Sequence, residues 1–336
     1  MGRPRVVVTD HVYPSVEVEE GILKSVGFDF KVYQCRGEDE VIEACRGADG
    51  ILTTFAPITR RVIQALDKAR VIVRHGVGYD NIDVSAASEK GIMVVNIPEF
   101  GGSEVADHTL ALITSLLRRI PQYDRLVKSG GWRSWAAYRP LPPLYRLTLG
   151  VVGFGRIGRQ VALKAMKGFD MRVVAYDPYV AREEFERLGV TSVTLENLLR
   201  ISDIVSLHTP LTDETRHLID GEKLRLMKPS AILVNTSRGP VVDQKALVEA
   251  LRRGWISGAA LDVLALEPPE GDDPLLGMEN VILTPHVAWF SEESFIDLLR
   301  KAASEVVRAL KGEEPLHIVN RSELEERGFL KTQKRS

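Results

Sequence analysis

Cysteine is scarce in this chain: 336 residues contain two, Cys35 and Cys45. Two thiols cannot build a disulfide framework, and they fit reduced side chains in a cytoplasm. Charge of one sign is also lacking. Lys plus Arg number 44 and Asp plus Glu 46, for a net charge of −2. With a pI near 6.4, that balance gives no footprint for nucleic acid or for an anionic membrane surface. No window approaches the roughly 18 uninterrupted apolar residues of a membrane helix. The opening Met-Gly-Arg-Pro-Arg runs directly into Val6-Val7-Val8, too short an apolar run for a signal peptide. Internal repeats and low-complexity tracts are missing as well, and no metal site is assigned. What is present is length for about two domains and a 44% hydrophobic content that supports full cores.

The most informative stretch is Thr148 to Asp177. Val151-Val152 close an apolar run, Gly153, Gly155 and Gly158 form G-x-G-x-x-G, and Ile157 to Met166 carry apolar residues at helical spacing. A second β-branched run, Val173-Val174, leads to Asp177, 19 residues after Gly158. This is a β-α-β unit with an acid at the tip of its second strand. Gly153 permits the tight turn, Gly155 lets a pyrophosphate approach the backbone, and Gly158 lets the helix pack close to the strand. The helix N-terminus offers free N–H groups to the phosphates. Asp177 can accept hydrogen bonds from the adenosine ribose hydroxyls and would repel a 2′-phosphate, so NAD is expected over NADP. Arg182 is near enough in sequence to qualify that expectation.

The first hundred residues alternate short β-rich runs with helical ones. Strands are expected at Arg5–Thr9, Asp29–Tyr33, Gly50–Thr53, Val71–Arg74 and Met93–Asn96, with helices such as Glu17–Val26 and Arg60–Leu66 between them. A single long helix is expected from Glu104 to about Val127. Gly130 to Arg146, rich in Trp, Tyr and Pro, reads as an ordered projecting arm. A second α/β domain follows from Thr148 to about Pro285. Its later strands are expected near Arg172–Tyr176, Ile204–Leu207, Ala231–Val234, Ser257–Leu261 and Val281–Leu283. Ser291 to Lys311 is a final helix, and Arg321 to Ser336 reads as a charged, frayed tail.

Ligands of open parallel sheets bind beyond the carboxyl ends of strands. Arg238 follows the run Ile232 to Val234, Glu267 follows Ala259 to Leu264, and His286 follows Val281 to Leu283. A hydride-transfer enzyme for 2-oxo acids needs these three types. A guanidinium fork binds the carboxylate, an imidazole exchanges a proton with the carbonyl oxygen, and a carboxylate orients the imidazole and favours its charged form. Each also has a plainer reading: a surface ion pair for Arg238, a solvated loop acid for Glu267, a satisfied buried histidine for His286.

Five segments then carry a resemblance: R-H-G-V-G-Y-D-N-I-D from Arg74, L-H-T-P-L-T-D-E-T-R-H-L-I-D from Leu207, I-L-V-N-T-S-R-G-P-V-V-D from Ile232, A-A-L-D-V-L-A-L-E-P from Ala259 and L-T-P-H-V-A from Leu283. In this order they resemble the D-isomer-specific 2-hydroxyacid dehydrogenase family over nearly the whole chain. The resemblance implies two Rossmann-like or flavodoxin-like parallel-sheet α/β domains with a cleft between them. Residues 1–101 plus 290–320 would bind substrate, 102–289 would bind NAD, and 321–336 would be a flexible tail. It implies an NAD-dependent cytoplasmic oxidoreductase that interconverts a small 2-oxo and 2-hydroxy acid, and a homodimer through the NAD domain.

By the same match, Arg238, Glu267 and His286 are catalytic. The amides of Val77 and Gly78 would hold the substrate carboxylate with Arg238. Arg156 and Ile157 amides would face the pyrophosphate with Gly153, Gly155 and Gly158. His208, Thr209, Pro210 and Thr215 would line the cofactor, and Asp262 would hold the nicotinamide carboxamide. Glu267 stands where formate dehydrogenases carry Gln, and Val77 where phosphite-oxidising members carry Lys. Phosphoglycerate dehydrogenases with a regulatory C-terminal domain are longer than this chain.

P-H-V-A-W-F-S-E-E-S and the Arg74 segment further resemble the C-terminal-binding-protein branch, in which a Trp three residues after the His faces substrate, as Trp289 would here. Helix-start packing is the plainer reading of Trp289. Gly130–Trp135, G-G-W-R-S-W, looks instead like glyoxylate/hydroxypyruvate reductases. A metabolic enzyme is therefore favoured over an NAD(H)-sensing binding protein. Phe55 in T-T-F-A-P is a candidate for the substrate pocket.

Overall fold

A computed structural model describes residues 2–331. The chain divides into two compact units, residues 1–100 with 291–336, and residues 101–290.

In the first unit, strands and helices alternate: β1 (Arg5–Val8), α1 (Glu17–Ser25), β2 (Asp29–Val32), α2 (Glu38–Ala44), β3 (Gly50–Thr53), α3 (Arg60–Ala65), β4 (Val71–Arg74), α4 (Val84–Glu89) and β5 (Met93–Val95). All neighbours pair in parallel, in the order β2-β1-β3-β4-β5. This is the flavodoxin-type order, which puts a switch point between β1 and β3. The inner strands β1, β3 and β4 are short and rich in β-branched residues because both faces are covered, and Val6, Val7, Val8, Ile51, Leu52, Ile72 and Val73 are fully buried.

The second unit opens with α5 (Gly102–Leu117) and α6 (Ile120–Lys128). The single helix expected from Glu104 to about Val127 is therefore corrected to two. Arg119 turns left-handed (φ 55°), and Pro121 cannot supply the N–H that would continue the first helix. There follow β6 (Thr148–Val152), α7 (Arg156–Phe169), β7 (Arg172–Tyr176), α8 (Arg182–Arg187), β8 (Thr191–Ser192), α9 (Leu195–Ile201), β9 (Ile204–Leu207), α10 (Gly221–Leu226), β10 (Ile232–Asn235), α11 (Gln244–Arg252), β11 (Gly258–Leu261) and β12 (Val281–Leu283). The sheet order is β12-β11-β10-β9-β6-β7-β8, all parallel. Successive strands are added outward on both sides of β6, β7 and β8 on one side and β9 to β12 on the other, which is the doubly wound Rossmann arrangement with its switch point between β6 and β9. The fold class is α/β with two parallel sheets.

The chain then returns to the first unit. α12 (Glu292–Lys311) starts at Ser291, whose side chain and that of Ser294 form a reciprocal capping box, and it stops at Gly312 in a left-handed conformation. α13 (Arg321–Glu326) follows. The frayed tail expected from Arg321 is thus corrected for residues 321–331. Leu324 is fully buried and Phe329 packs over Gly91. Residues 332–336 lie outside the described residues.

One core of the second unit is organised around Phe154, which stacks on Phe185 of α8 with centroids 4.5 Å apart and planes 13° from parallel. Both rings are buried, so the pair fastens the loop after β6 to an outer helix. Phe185→Ala is expected to cost about 3–5 kcal/mol, the range for removing a buried aromatic ring, in a denaturant titration. A loss below about 1 kcal/mol would mean that the surroundings close over the gap and that this stack is dispensable.

Candidate active site

The loop after β6 turns on Gly153 at φ 91°. A Cβ there would meet the His208 carbonyl carbon and oxygen at 2.7 Å, so the loops after β6 and β9 touch at the switch point. At Gly158 a Cβ would lie 2.1 Å from the Gly153 oxygen, so α7 lies directly against the turn that feeds it. At Gly155 a Cβ would meet nothing within 4 Å, which leaves open space above the turn. The first hydrogen bond of α7 runs from Arg159 N to Gly155 O at 3.0 Å. The amides of Arg156 and Ile157 therefore precede the helical ladder and point out of its N-terminus. Asp177 follows β7 and is held by two amides, Phe154 N to Oδ2 at 2.8 Å and Tyr179 N to Oδ1 at 2.9 Å.

Across the switch point, burial pushes the His208 pKa down to about 3, so its ring is neutral, with Ser206 Oγ 2.8 Å from Nε2. Thr209 Oγ1 is shielded from solvent and has no partner among the described residues. Thr215 Oγ1 donates to Pro210 O at 2.6 Å and ties the loop that carries both. An orphaned hydroxyl beside an open glycine turn, a helix N-terminus and a strand-end acid fit a dinucleotide.

At the other side of the sheet, Arg238 follows β10. Its turn is braced by Asn235, whose Nδ2 donates to Arg238 O at 2.8 Å and whose Oδ1 accepts from Ser237 N at 3.0 Å. Glu267 follows β11. Its Oε2 lies 2.6 Å from His286 Nδ1, and its Oε1 accepts from Leu264 N at 2.9 Å. Burial works to raise the Glu267 pKa, but the His286 hydrogen bond and charge, the Leu264 amide and the Arg238 charge outweigh it and hold the carboxyl below its usual range. The structure thus brings the three expected residues into one electrostatic group on a single unit.

Asp262 takes a part in the loop that the sequence does not reveal. Only 2% exposed, it accepts Thr284 Oγ1 (2.6 Å) and Val287 N (3.0 Å) at Oδ1, and Ala288 N (3.0 Å) at Oδ2. His108 joins it, with Nε2 3.0 Å from Thr284 Oγ1. A readable signal existed for His108: it falls at helical spacing between Val105 and Leu112, both buried in α5. Trp289 lies in a turn ahead of α12 rather than opening that helix. Its indole Nε1 donates to the His286 carbonyl at 3.1 Å, so the ring is keyed to the His286 backbone.

The remaining expected site residues belong to the first unit. Val77 and Gly78 follow β4. Among the described residues their amides have no protein acceptor, while Asn96 Nδ2 holds Val77 O at 2.7 Å. Phe55 N donates to Asp10 Oδ2 at 2.6 Å, and the ring is 46% exposed.

A doubly wound sheet with a glycine turn and a strand-end acid defines a dinucleotide-dependent enzyme. Residues 110–288 match the model of the D-isomer specific 2-hydroxyacid dehydrogenase NAD-binding domain. The chain is 49% identical to a glyoxylate reductase of Korarchaeum cryptofilum over 269 residues, covering 79% of this chain and 80% of the relative. It is 45% identical to a D-3-phosphoglycerate dehydrogenase of Methanocaldococcus jannaschii over 264 residues, 78% of this chain, but spans only 50% of that relative's length. A crystal structure of D-lactate dehydrogenase from Aquifex aeolicus, complexed with NAD and lactic acid, superposes with a TM-score of 0.83 at 33% identity, covering 92% of this chain and 96% of that one. The chain belongs to the D-isomer-specific 2-hydroxyacid dehydrogenase family. It is an oxidoreductase acting on CH–OH groups with a nicotinamide cofactor. Among the described residues, no helix is long and apolar enough to cross a membrane.

The glycine geometry makes a paired prediction. Gly158→Ala must push α7 off its turn and is expected to lower both the melting temperature and NADH affinity. Gly155→Ala meets no protein atom and is expected to melt with the parent while binding NADH at least about tenfold more weakly, the loss of roughly one charge-assisted hydrogen bond. Thermal unfolding and NADH titration check both. A Gly155→Ala protein with unchanged affinity would move the cofactor away from this turn.

Proposed function

We propose that this chain is an NADH-dependent reductase of a small 2-oxo acid, with Arg238, Glu267 and His286 as its catalytic residues. The observation that carries the reading is the 2.6 Å contact between His286 Nδ1 and Glu267 Oε2, within reach of the Arg238 charge. Glu267 occupies Nδ1 and fixes the orientation of the ring. Nε2 is then the atom that gives a proton to the substrate carbonyl oxygen, and takes it back in the oxidation direction. The Arg238 fork binds the carboxylate. The nicotinamide, when bound, supplies or accepts the hydride. Gly153, Gly155, Gly158 and the Arg156 and Ile157 amides hold its pyrophosphate, His208, Thr209, Pro210 and Thr215 line it, and Asp262 Oδ2 offers a second acceptor site to the carboxamide.

NAD is preferred over NADP in this reading. Asp177 is fixed by two amides, and Tyr179 ties it to a second carboxylate, Glu214. Arg182 is paired with Glu186 at 2.9 Å. A homodimer through the second unit is favoured by the arm at 130–146, whose Trp132 and Trp135 are 79% and 74% exposed; exposed apolar patches of this kind mark partner contacts. The free Cys35 and Cys45 fit a cytoplasmic protein. Relatives bearing reductase and dehydrogenase names support turnover over redox sensing by a binding protein.

The test is a panel of glyoxylate, hydroxypyruvate, pyruvate, phenylpyruvate and 4-methylthio-2-oxobutanoate, each with NADH and NADPH. Turnover of none of them would sink the reading. Asp177→Ala is expected to narrow the NADH preference by about one to two orders of magnitude, the worth of a charged hydrogen bond and the lost repulsion. Equal use of both cofactors by the parent would contradict the role of Asp177.

Against the effect of burial, the His286 hydrogen bond and charge, the Leu264 amide and the Arg238 charge hold the Glu267 carboxyl below its usual range. Glu267 is therefore an ionised partner of the ring at neutral pH. Glu267→Gln keeps the shape and removes the charge, and is expected to lower kcat/KM for 2-oxo acid reduction about 10- to 100-fold, the scale of a misplaced reacting group, with NADH affinity unchanged. Steady-state kinetics at pH 7 and an NADH titration check it. An unchanged kcat/KM would break the pairing.

A further inference from the structure

His286 has φ 55°, the left-handed region that bulky side chains avoid. Something must hold it there, and the surrounding bonds show what does. Three consecutive amides close on one residue: His286 N on Asp262 O at 2.9 Å, Val287 N on Oδ1 at 3.0 Å and Ala288 N on Oδ2 at 3.0 Å. This grip works only if the Asp262 carboxylate is fixed in rotation. A carboxylate accepts and does not donate, so the Thr284 hydroxyl gives its proton to Oδ1 at 2.6 Å. The hydroxyl oxygen must then accept from His108, 3.0 Å away, which places the His108 proton on Nε2. The same nitrogen is 3.7 Å from Asp262 Oδ1. His108 is delivered by α5, which packs on β10, β11 and β12. The chain His108–Thr284–Asp262 therefore links a scaffold helix to the backbone of the residue read as the acid/base.

We propose that His108 and Thr284 are positioning residues for the reaction: they lock the Asp262 carboxylate, and Asp262 holds His286 in its left-handed conformation with the ring against Glu267. The inference rests on the reading of His286 as the proton-exchanging group. Neither residue needs to touch substrate. Their effect is on how often the imidazole stands in the reactive orientation, and this enters kcat rather than KM.

The test uses the full chain and the fastest-reacting acid of the 2-oxo acid panel, with NADH. Thr284→Val removes the hydroxyl at constant shape, and Thr284→Ser keeps it. His108→Phe removes the donor, and His108→Gln keeps one. Thr284→Val and His108→Phe are each expected to lower kcat about 10- to 100-fold, the scale of a small misplacement of a reacting group. KM for the 2-oxo acid should change by less than about threefold in both variants, because the pathway acts on orientation and not on substrate binding. Thr284→Ser and His108→Gln should recover most of the loss. The Thr284→Val/His108→Phe double variant should be no slower than Thr284→Val alone, because both interrupt one chain. Melting temperatures confirm that each protein is folded. If Thr284→Val is unstable, the His108 pair decides.

Unchanged kcat in the folded Thr284→Val and His108→Phe variants, or losses that multiply in the double variant, would overturn the inference. His286→Ala separates the two levels. If it retains turnover, the reading of His286 has failed and the inference falls with it. If it abolishes turnover while the positioning variants keep theirs, only the inference fails.

Discussion

Parallel strand direction is the constraint on which the rest depends. When every strand of a sheet runs the same way, every strand ends at the same edge. In the second unit, Gly153 follows β6, Asp177 follows β7, His208 follows β9, Arg238 follows β10, Asp262 follows β11 and His286 follows β12. Residues spread over more than a hundred positions of sequence are thereby collected along one edge without any local spacing rule. The order of strands then sorts them. The glycine turn, Asp177 and His208 lie around the switch point between β6 and β9, and the Glu267–His286 pair lies beyond β11 and β12. A single strand reversal would send its terminal loop to the opposite edge.

Bringing loops together at a sheet edge leaves their amides without a ladder, and this chain solves the problem repeatedly in one way. A short Asx side chain at or just past the end of a strand turns back and accepts the amides of a neighbouring loop. Asp10 does so after β1, taking Thr54 N at 3.0 Å and Phe55 N at 2.6 Å. Asp177 takes Phe154 N and Tyr179 N, Asn235 takes Ser237 N, and Asp262 takes Val287 N and Ala288 N. Asp and Asn suit this because their acceptors sit only two bonds from Cβ, close enough to reach backbone two or three residues away. These loops are consequently ordered by the strands themselves, without drawing on the longer side chains of Arg238 and Glu267.

All strands but β8 were legible because buried parallel strands are short β-branched runs bounded by turn residues; Val71–Arg74 and Ile204–Leu207 read off directly, whereas the two exposed residues of β8, Thr191 and Ser192, carry no such signal. The glycine turn and Asp177 were legible because their spacing is fixed by one local β-α-β unit. Arg238, Glu267 and His286 could be placed after strands, and their residue types called for convergence and for a Glu267–His286 pair, but the geometry of that contact could not be read. That contact depends on sheet order, which no single segment encodes. The helix break at Arg119 was missed because the apolar period continues across it, although Pro121 marked it. The helix at Arg321 was missed because its charged sequence conceals the one residue that is fully buried, Leu324. Asp262 was seen only through resemblance. Its hold on Thr284 and on two amides comes from tertiary closure, and sequence carries no trace of that.

Electrostatics close the argument. Removed from water, Glu267 would tend to protonate and cease to orient His286. The Leu264 amide, the His286 ring and the Arg238 charge together reverse that tendency, so an acid partly withdrawn from solvent stays ionised. Arg238 therefore acts on Glu267 from a neighbouring loop, and the ionised carboxylate keeps its hydrogen bond to the His286 ring. The state of one carboxylate thus depends on the loops after β10 and β12, which is a reason for the three residues to follow adjacent strands of one sheet.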